Sequence, residues 1–153
     1  MNNIVTDVLK IKYNALTLAP AMVAFYEECK VERDNLLLLY LVFPVIINPY
    51  WLARLPKVQS NSRLETWARK NLLYLEGLPD RFVTFKQLSE HTFQYCIDMG
   101  YLTITDNNNV LVIKNIEDQN KTLISKSASR LAKLFSTNTV LKIYSILGIR
   151  EIL

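Results

Sequence analysis

An uncharged run of nineteen residues, Asn35–Ala53, is the feature that most constrains this chain. A helix that crosses a bilayer needs roughly 20 predominantly apolar residues. The strictly apolar part of this run, Leu36–Ile47, has only twelve. Pro44 and Pro49 interrupt helical backbone within and just after it. The run therefore predicts a core helix, capped by Asp34, kinked at Pro44 and ended at Asn48-Pro49, and not a membrane anchor.

Length and composition predict one largely helical domain over residues 1–153. A chain of 153 residues buries about 70% of its unfolded surface. Half of the residues are hydrophobic and only three are glycine, which is typical of a compact helical protein. Cys29 and Cys96 lack metal-ligand spacing and are expected as buried free thiols. The N-terminal stretch 1–14 lacks the apolar segment of a signal peptide, so we expect a cytoplasmic protein.

The net charge of +4 is concentrated in two regions. Residues 54–70 contain five basic side chains against Glu65, and residues 119–150 contain six basic side chains and no acid. Such patches contact nucleic acid or acidic partners, or are simply solvated. The candidate contact residues are Arg54, Lys57, Lys126, Arg130 and Lys133.

Helices are predicted through most of the chain before residue 100. Asn14 or Thr17 opens the first helix, and with Thr17 as cap Pro20 would lie in the first turn. Residues 49–61 are expected to form an irregular connection, because Pro49 and Pro56 exclude regular helix. A capping box at Ser62–Glu65 begins a helix to Glu76, and either Asp80 or Thr84 caps another that ends at Met99. The buried positions expected on these helices are Leu18, Met22, Phe25, Cys29, Leu64, Trp67, Leu72, Leu75, Phe85, Leu88, Thr92, Tyr95 and Met99.

The hydrophobic period changes after Gly100, which suits a left-handed helix end. Residues 101–105 and 110–115 are rich in β-branched residues and predict two strands joined by the polar turn 106–109. Helical spacing resumes in residues 120–137, with Leu123, Ala128, Leu131 and Phe135 on one side. A last helix runs from Thr139 to Leu147 and ends at Gly148.

This order predicts a mainly α fold with a small β-hairpin, as in a winged-helix-like single domain. Residues 14–76 would form a helical part, 62–114 the winged-helix-like part and 120–148 the C-terminal helices. The helix 80–99 would be the recognition helix and the hairpin 101–114 the wing. A hairpin between helices also occurs in other α+β domains, so that possibility stays open.

Catalysis has little support in the sequence. His91 is the single histidine, and no serine or cysteine beside it is marked as a nucleophile. The three glycines are isolated, so no phosphate loop is present, and the acids Glu27-Glu28 and Glu117-Asp118 lack metal-ligand clustering. We therefore expect a protein that is not an enzyme and needs no cofactor or metal.

Sequence-specific DNA reading is only weakly indicated. The predicted recognition helix has about equal numbers of acids and bases, and the wing tip 106–109 lacks a cation. A DNA-reading element usually presents Lys or Arg to phosphates. The positive side chains lie instead on one face of the helix 120–137, at Lys126, Arg130 and Lys133.

Several stretches together resemble a known family of prokaryotic proteins. They are YNALTLAPAMVAFYEE, LLLLYLVFPVIINPYWLARLP, SRLETWARKN, RLAKLF and YSILGIREIL, and they span nearly the whole chain. This order is similar to the small middle component of ABC three-component systems, in particular the small subunit of Lamassu-type defence complexes. Its most specific parts are Pro44 leading to Arg54-Leu55-Pro56, the Trp67 helix and Leu147-Gly148-Ile149. The chain departs from the family at Ala15 and Glu151, where proline is frequent.

The resemblance implies a non-catalytic subunit of a larger complex. Such a subunit joins an SMC- or Rad50-like ATPase to an effector, commonly a nuclease, in defence against phages and plasmids, and double-stranded DNA is a further partner within the complex. Pro44, Trp67 and Gly148 are then expected to determine the fold. The alternative is a free-standing winged-helix DNA-binding transcriptional regulator, which would bind duplex alone and dimerise on a two-fold site.

Overall fold

Helices form most of the structure, a computed structural model that describes residues 13–59, 61–118 and 121–150. The predicted N-terminal segment before residue 13 and the departure at Glu151 lie outside these residues. The predicted mainly α class with a small β-hairpin is confirmed, since the described residues are mainly helical and include a two-stranded antiparallel sheet. The elements are α1 Ala15–Glu28, a 3-10 helix Asn35–Leu38, α2 Leu39–Ile46, α3 Pro49–Arg54, a 3-10 helix Leu55–Lys57, α4 Leu64–Lys70, α5 Leu72–Leu75, α6 Leu78–Asp98, β1 Leu102–Thr105, a tight 3-10 turn Asp106–Asn108, β2 Asn109–Val112, α7 Leu123–Phe135 and α8 Val140–Ile146.

The first helix begins with a capping box at Asn14. The Asn14 side chain accepts from the Thr17 N–H at 3.1 Å, and the Thr17 hydroxyl accepts from the Asn14 N–H at 3.1 Å. The option in which Thr17 is the cap is therefore wrong, and Pro20 lies inside the helix. Proline there leaves the carbonyl of Leu16 without its helical donor. Because Leu16 is exposed, water can solvate that carbonyl.

The uncharged run forms a 3-10 helix and two α-helices instead of one kinked helix. The predicted start and end of that single helix are therefore wrong. Asp34 makes no capping bond and has a left-handed φ of 55°. Helix α2 continues beyond Pro44, which is buried, and ends before Ile47. Asn48 then caps α3 by accepting from the Tyr50 N–H at 2.9 Å. Pro49 is tolerated because the first helical residue needs no intrahelical donor, so the predicted irregular connection is helical instead.

Within the described residues, no single helix is long and apolar enough to cross a membrane. Asn35–Ile46 and Pro49–Lys57 reach that length and composition only together, and their axes are bent by 93°. Phe43 and Trp51, which belong to this pair, are completely buried in the core.

The predicted helix 62–76 is broken in two at Asn71. Asn71 leaves helical geometry with φ −126° and ψ 23°, so α4 ends before it and α5 begins after it. The predicted capping box is wrong, because Arg63 is the N-cap residue and no side chain caps the helix. Leu64, Trp67 and Leu75 are buried as predicted, but Leu72 is 62% exposed.

Helix α6 is the longest helix that the structure describes. It begins at Leu78, earlier than the predicted Asp80 or Thr84, with Pro79 in its first turn. Phe85 and Thr92 are buried as predicted, whereas Met99 is 47% exposed and does not face the core. Gly100 follows with φ 75°, which confirms the predicted left-handed end.

The hairpin is confirmed, and its tip is bound to the segment between α1 and α2. Leu102 pairs with Val112 and Ile104 with Val110. The buried Asn35 side chain accepts from the Val110 N–H at 2.7 Å. The Asn107 carbonyl accepts from the Asp34 N–H at 3.1 Å. The tip is therefore held against the body of the protein.

The last two helices begin at threonine caps. Thr122 accepts from the Ser125 N–H at 3.1 Å to cap α7, and Thr139 accepts from the Lys142 N–H at 3.3 Å to cap α8. Ala128, Leu131 and Phe135 are buried as predicted, but Leu123 is 49% exposed. Gly148 ends α8 with φ 76°, and the next N–H, that of Ile149, donates to the Tyr144 carbonyl at 3.0 Å. This closure needs a residue that tolerates positive φ, as glycine does.

Candidate partner-docking surface

Helix α7 has a deeply buried side and an opposite basic side. Its packing against α1 includes an edge-on contact between Phe135 and Phe25, whose ring centroids are 6.0 Å apart. The Ser127 hydroxyl donates to the Leu52 carbonyl at 3.3 Å and links α7 to α3. These contacts fix the rotation of α7 and direct the three predicted cations of this helix away from the core.

A shallow depression of about 210 Å³ lies on this basic side. The 3-10 helix that follows α3 packs beside α7, and its Leu55 is completely buried. Pro56 then forms one wall of the depression. We call the lining residues the α7 basic surface; they are Pro56, Lys126, Ser129, Arg130 and Lys133.

The five predicted contact residues lie in different places. Lys126 is exposed, and Arg130 and Lys133 are half-buried in the depression. Lys57 is exposed at the end of the neighbouring 3-10 helix and does not line the depression. Arg54 points elsewhere, because its guanidinium lies 3.7 Å from the centroid of the Tyr50 ring and donates to the Tyr50 carbonyl at 3.2 Å.

An acid stands at the edge of the α7 basic surface. Lys133 Nζ lies 4.0 Å from Glu28 Oε2, at the end of α1, and the two side chains are 37% and 39% exposed. A pair this exposed is weakly held, because water and salt screen it. An incoming carboxylate or phosphate can therefore replace Glu28 as the partner of Lys133.

A second surface was not predicted from the sequence. It consists of the exposed apolar side chains of α5, and we call it the α5 apolar surface: Leu72 is 62%, Leu73 73% and Tyr74 40% exposed. The Tyr74 ring stacks on Tyr50 with centroids 3.5 Å apart, so Arg54 and these residues form one continuous surface. The run LLYL in the sequence could have indicated this surface, because four consecutive apolar residues cannot all face inward on a helix.

The predicted burial is confirmed for Cys96, whereas Cys29 is only partly buried, and both thiols are weak nucleophiles at neutral pH. Burial raises the pKa of Cys29 to about 11 and that of Cys96 to about 12. Because the thiolate is the reactive form, neither site has the low pKa of a catalytic cysteine. His91 is exposed on α6. Among the described residues, no three His, Cys, Asp or Glu side chains are grouped so that they could hold a metal ion.

These features define a small helical protein whose distinctive surfaces suit docking. The chain belongs to the family "ABC-three component (ABC-3C) system Middle Component 3", whose model matches residues 2–151. The predicted relationship to middle components is thereby confirmed. As a middle component, the protein has partner components with which it forms a complex. No curated protein and no solved structure gives a significant match to this chain.

Proposed function

We propose that this middle component is a non-catalytic adaptor in a Lamassu-type defence complex. It links an SMC- or Rad50-like ATPase to an effector, a nuclease, and acts in the cytoplasm against phages and plasmids. The observation that carries the proposal is the α7 basic surface. It presents three cations on a helix whose other side is bound into the core.

A rigid basic face suits a docking role. Charged residues on fixed elements give specificity and raise association rates when the partner presents opposite charge. Arg130 can bind a carboxylate or phosphate through two parallel hydrogen bonds, while Lys126 acts as a mobile point charge. An acidic partner surface or the backbone of double-stranded DNA within the complex supplies such groups.

The alternative of a free-standing winged-helix regulator is less well supported. A wing that enters a DNA groove presents cations to phosphates, but here the exposed tip turn Asp106–Asn108 carries none, and its Asn107 carbonyl accepts from the Asp34 N–H at 3.1 Å. The recognition-helix candidate α6 packs against both α1 and α2, and its charged residues are about equally acidic and basic. Both observations favour contact with proteins.

The test is co-purification of the tagged chain with the two other components of its system. The complex is weighed by light scattering, and duplex binding by the isolated chain is measured at two salt concentrations. We expect a complex with a large ATPase and an effector, and little duplex binding by the isolated chain. A lone dimer that binds duplex and releases it as salt rises would instead establish the regulator.

Charge reversal then tests the α7 basic surface. The variant carries Lys126→Glu, Arg130→Glu and Lys133→Glu, and we expect it to fold and to lose partner or DNA binding. The matched control makes the same change in net charge at three exposed positions elsewhere, with Lys114→Glu, Lys121→Glu and Lys142→Glu. Unchanged assembly and unchanged DNA affinity of the first variant would remove α7 from the interface.

A further inference from the structure

We propose that the α5 apolar surface is a second docking site, and that it binds an acidic amphipathic helix of a partner component. This inference rests on the proposed adaptor function, which requires separate surfaces for separate partners. One partner, either the effector or the ATPase, would then bind through a chemistry different from that of the α7 basic surface. Here apolar burial, rather than charge alone, holds the partner.

Three consecutive apolar side chains of α5 face solvent. Leu72 is 62%, Leu73 73% and Tyr74 40% exposed, whereas the next residue, Leu75, is buried. Single exposed leucines are common on protein surfaces, but contiguous apolar patches mark interaction sites. Covering this group with a partner removes apolar surface from water and favours association.

The outward direction of Leu72 is imposed by the break at Asn71. In an uninterrupted helix, Leu72 would lie eight residues after Leu64 and share its buried face. Asn71 instead donates from Nδ2 to the Trp67 carbonyl at 2.7 Å and accepts from the Tyr50 hydroxyl at 3.0 Å. These bonds hold the break in place, so the exposure is a fixed property of the fold.

The surface is also held rigid from behind. Tyr74 and Tyr50 stack at 3.5 Å with an interplanar angle of 14°. The Tyr74 carbonyl accepts from Arg81 Nη2 at 3.4 Å, and Arg81 Nε donates to the Pro44 carbonyl at 3.1 Å. A partner therefore meets a preorganised surface and pays little ordering entropy there.

Charge decides which partner fits. The exposed cations Arg69 and Lys70 directly precede Asn71, and Arg54 lies on the other side of the Tyr50–Tyr74 stack. The exposed acid Glu76 follows at the far end of α5, so the surface is cationic at one end only. An amphipathic helix with leucine or phenylalanine at helical spacing and acids at one end matches this arrangement in both respects.

Two other occupants match less well. A second copy of this chain would bring the same cations against each other, and like charges in an interface oppose association. Double-stranded DNA would meet the cations, but the exposed leucines offer no hydrogen bond to a phosphate or a sugar. The apolar centre and the cationic end together favour an acidic protein segment.

The decisive experiment uses the assembled complex of the full chain with the two other components. Leu73→Asp places a charge at the centre of the α5 apolar surface, and Leu111→Asp is the matched control on the hairpin, where Leu111 is 55% exposed. We expect Leu73→Asp to lower recovery of one component at least about tenfold and Leu111→Asp to change it less than about twofold, on the usual scale of a central interface substitution. Thermal melts show whether each variant is folded.

A second measurement identifies the occupant directly. Leu73 is replaced by photoreactive benzoylphenylalanine, the complex is irradiated, and the cross-linked peptide is sequenced by mass spectrometry. We expect a peptide of one partner component, rich in Asp or Glu and apolar at helical spacing. Arg69→Glu with Lys70→Glu should weaken the same contact, with a loss that becomes smaller as salt rises.

The outcomes separate this inference from the adaptor function. If the unaltered chain forms no complex with the other components, the adaptor function itself fails. If the complex forms and the folded Leu73→Asp variant assembles normally, the adaptor function stands and the α5 site is overturned. A cross-link to a second copy of the chain, or to duplex DNA added to the complex, also overturns it.

Discussion

The α7 basic surface and the α5 apolar surface expose their residues in opposite ways. Helix α7 follows ordinary amphipathic patterning, with Leu131 and Phe135 inside and Lys126 outside. Helix α5 is a single turn that keeps Leu75 inside and turns Leu72 outward. A regular helix can display charge at no cost to the core, whereas Leu72 faces solvent because the helix breaks at Asn71.

This difference separates two kinds of structural support. The α7 cations are held by a buried helix face, so the surface lasts as long as the core does. The α5 residues depend on a local hydrogen-bonded break and on the Tyr50–Tyr74 stack. We therefore expect substitutions in the two regions to lower the free energy of unfolding by different amounts.

The largest effect should come from the buried side of α7. Phe135→Ala leaves a cavity beside Phe25, and we expect the free energy of unfolding to fall by about 3–5 kcal/mol. Lys126→Ala, on the exposed side of the same helix, should change it by less than about 0.5 kcal/mol. Urea denaturation of both variants measures the difference. Equal effects would break the distinction between the two sides.

A smaller effect should come from the break itself. Asn71→Ala removes the bonds to the Trp67 carbonyl and the Tyr50 hydroxyl, and we expect a loss of about 1–3 kcal/mol. Tyr50→Phe is the control that removes only one of these bonds and should cost less. Urea denaturation again gives the values. An Asn71→Ala chain as stable as the unaltered one would show that the break needs no side-chain support.

The two thiols should make the free energy of unfolding depend on pH in the alkaline range. The pKa is about 11 for Cys29, which follows the end of α1, and about 12 for Cys96 in the core, against an ordinary value of 9.0. Above pH 9 the unfolded thiols ionise first, so the unfolded state binds fewer protons and the free energy of unfolding falls as pH rises. Iodoacetamide should likewise label the folded chain more slowly at pH 8 than the urea-unfolded chain, with Cys96 the slower. Equal labelling rates would contradict both shifts.

The smallest effect is expected for the ion pair at the edge of the α7 surface. A double-mutant cycle with Glu28→Gln and Lys133→Met should give a coupling free energy below about 1 kcal/mol, because both side chains are more than one-third exposed. The coupling should decrease further as salt rises. A coupling free energy well above about 1 kcal/mol would mean that an anion of a partner cannot readily replace Glu28 beside Lys133.

Local chemistry was enough to predict several elements. Asn14 was one of the two residues predicted to open α1, and together with Thr17 it satisfies amides at the helix start through side chains three residues apart. Gly100 and Gly148 end helices at positive φ for a similarly local reason. The basic face of α7 was predictable too, because helical spacing alone places Lys126, Arg130 and Lys133 on one side.

Other features depend on neighbours distant in sequence. The helix at Pro49 could have been predicted, since Asn-Pro is also a helix start, but the sequence alone does not tell whether the pair ends one helix or begins the next. The junction of Pro56 with α7 requires Leu55 to be buried between separate elements.

The sequence by itself determined the glycine ends of α6 and α8, the hairpin, the basic helix face and the membership of the middle-component family, because each depends on residues a few positions apart or on the order of motifs. Only the tertiary structure decided where α4 stops, which leucines stay in water, and that the hairpin tip is bound. Asn71 breaks its helix by pairing with Tyr50, and Asn35 binds the hairpin at Val110. Such bonds form only when folding brings distant segments together, so no local pattern specifies them.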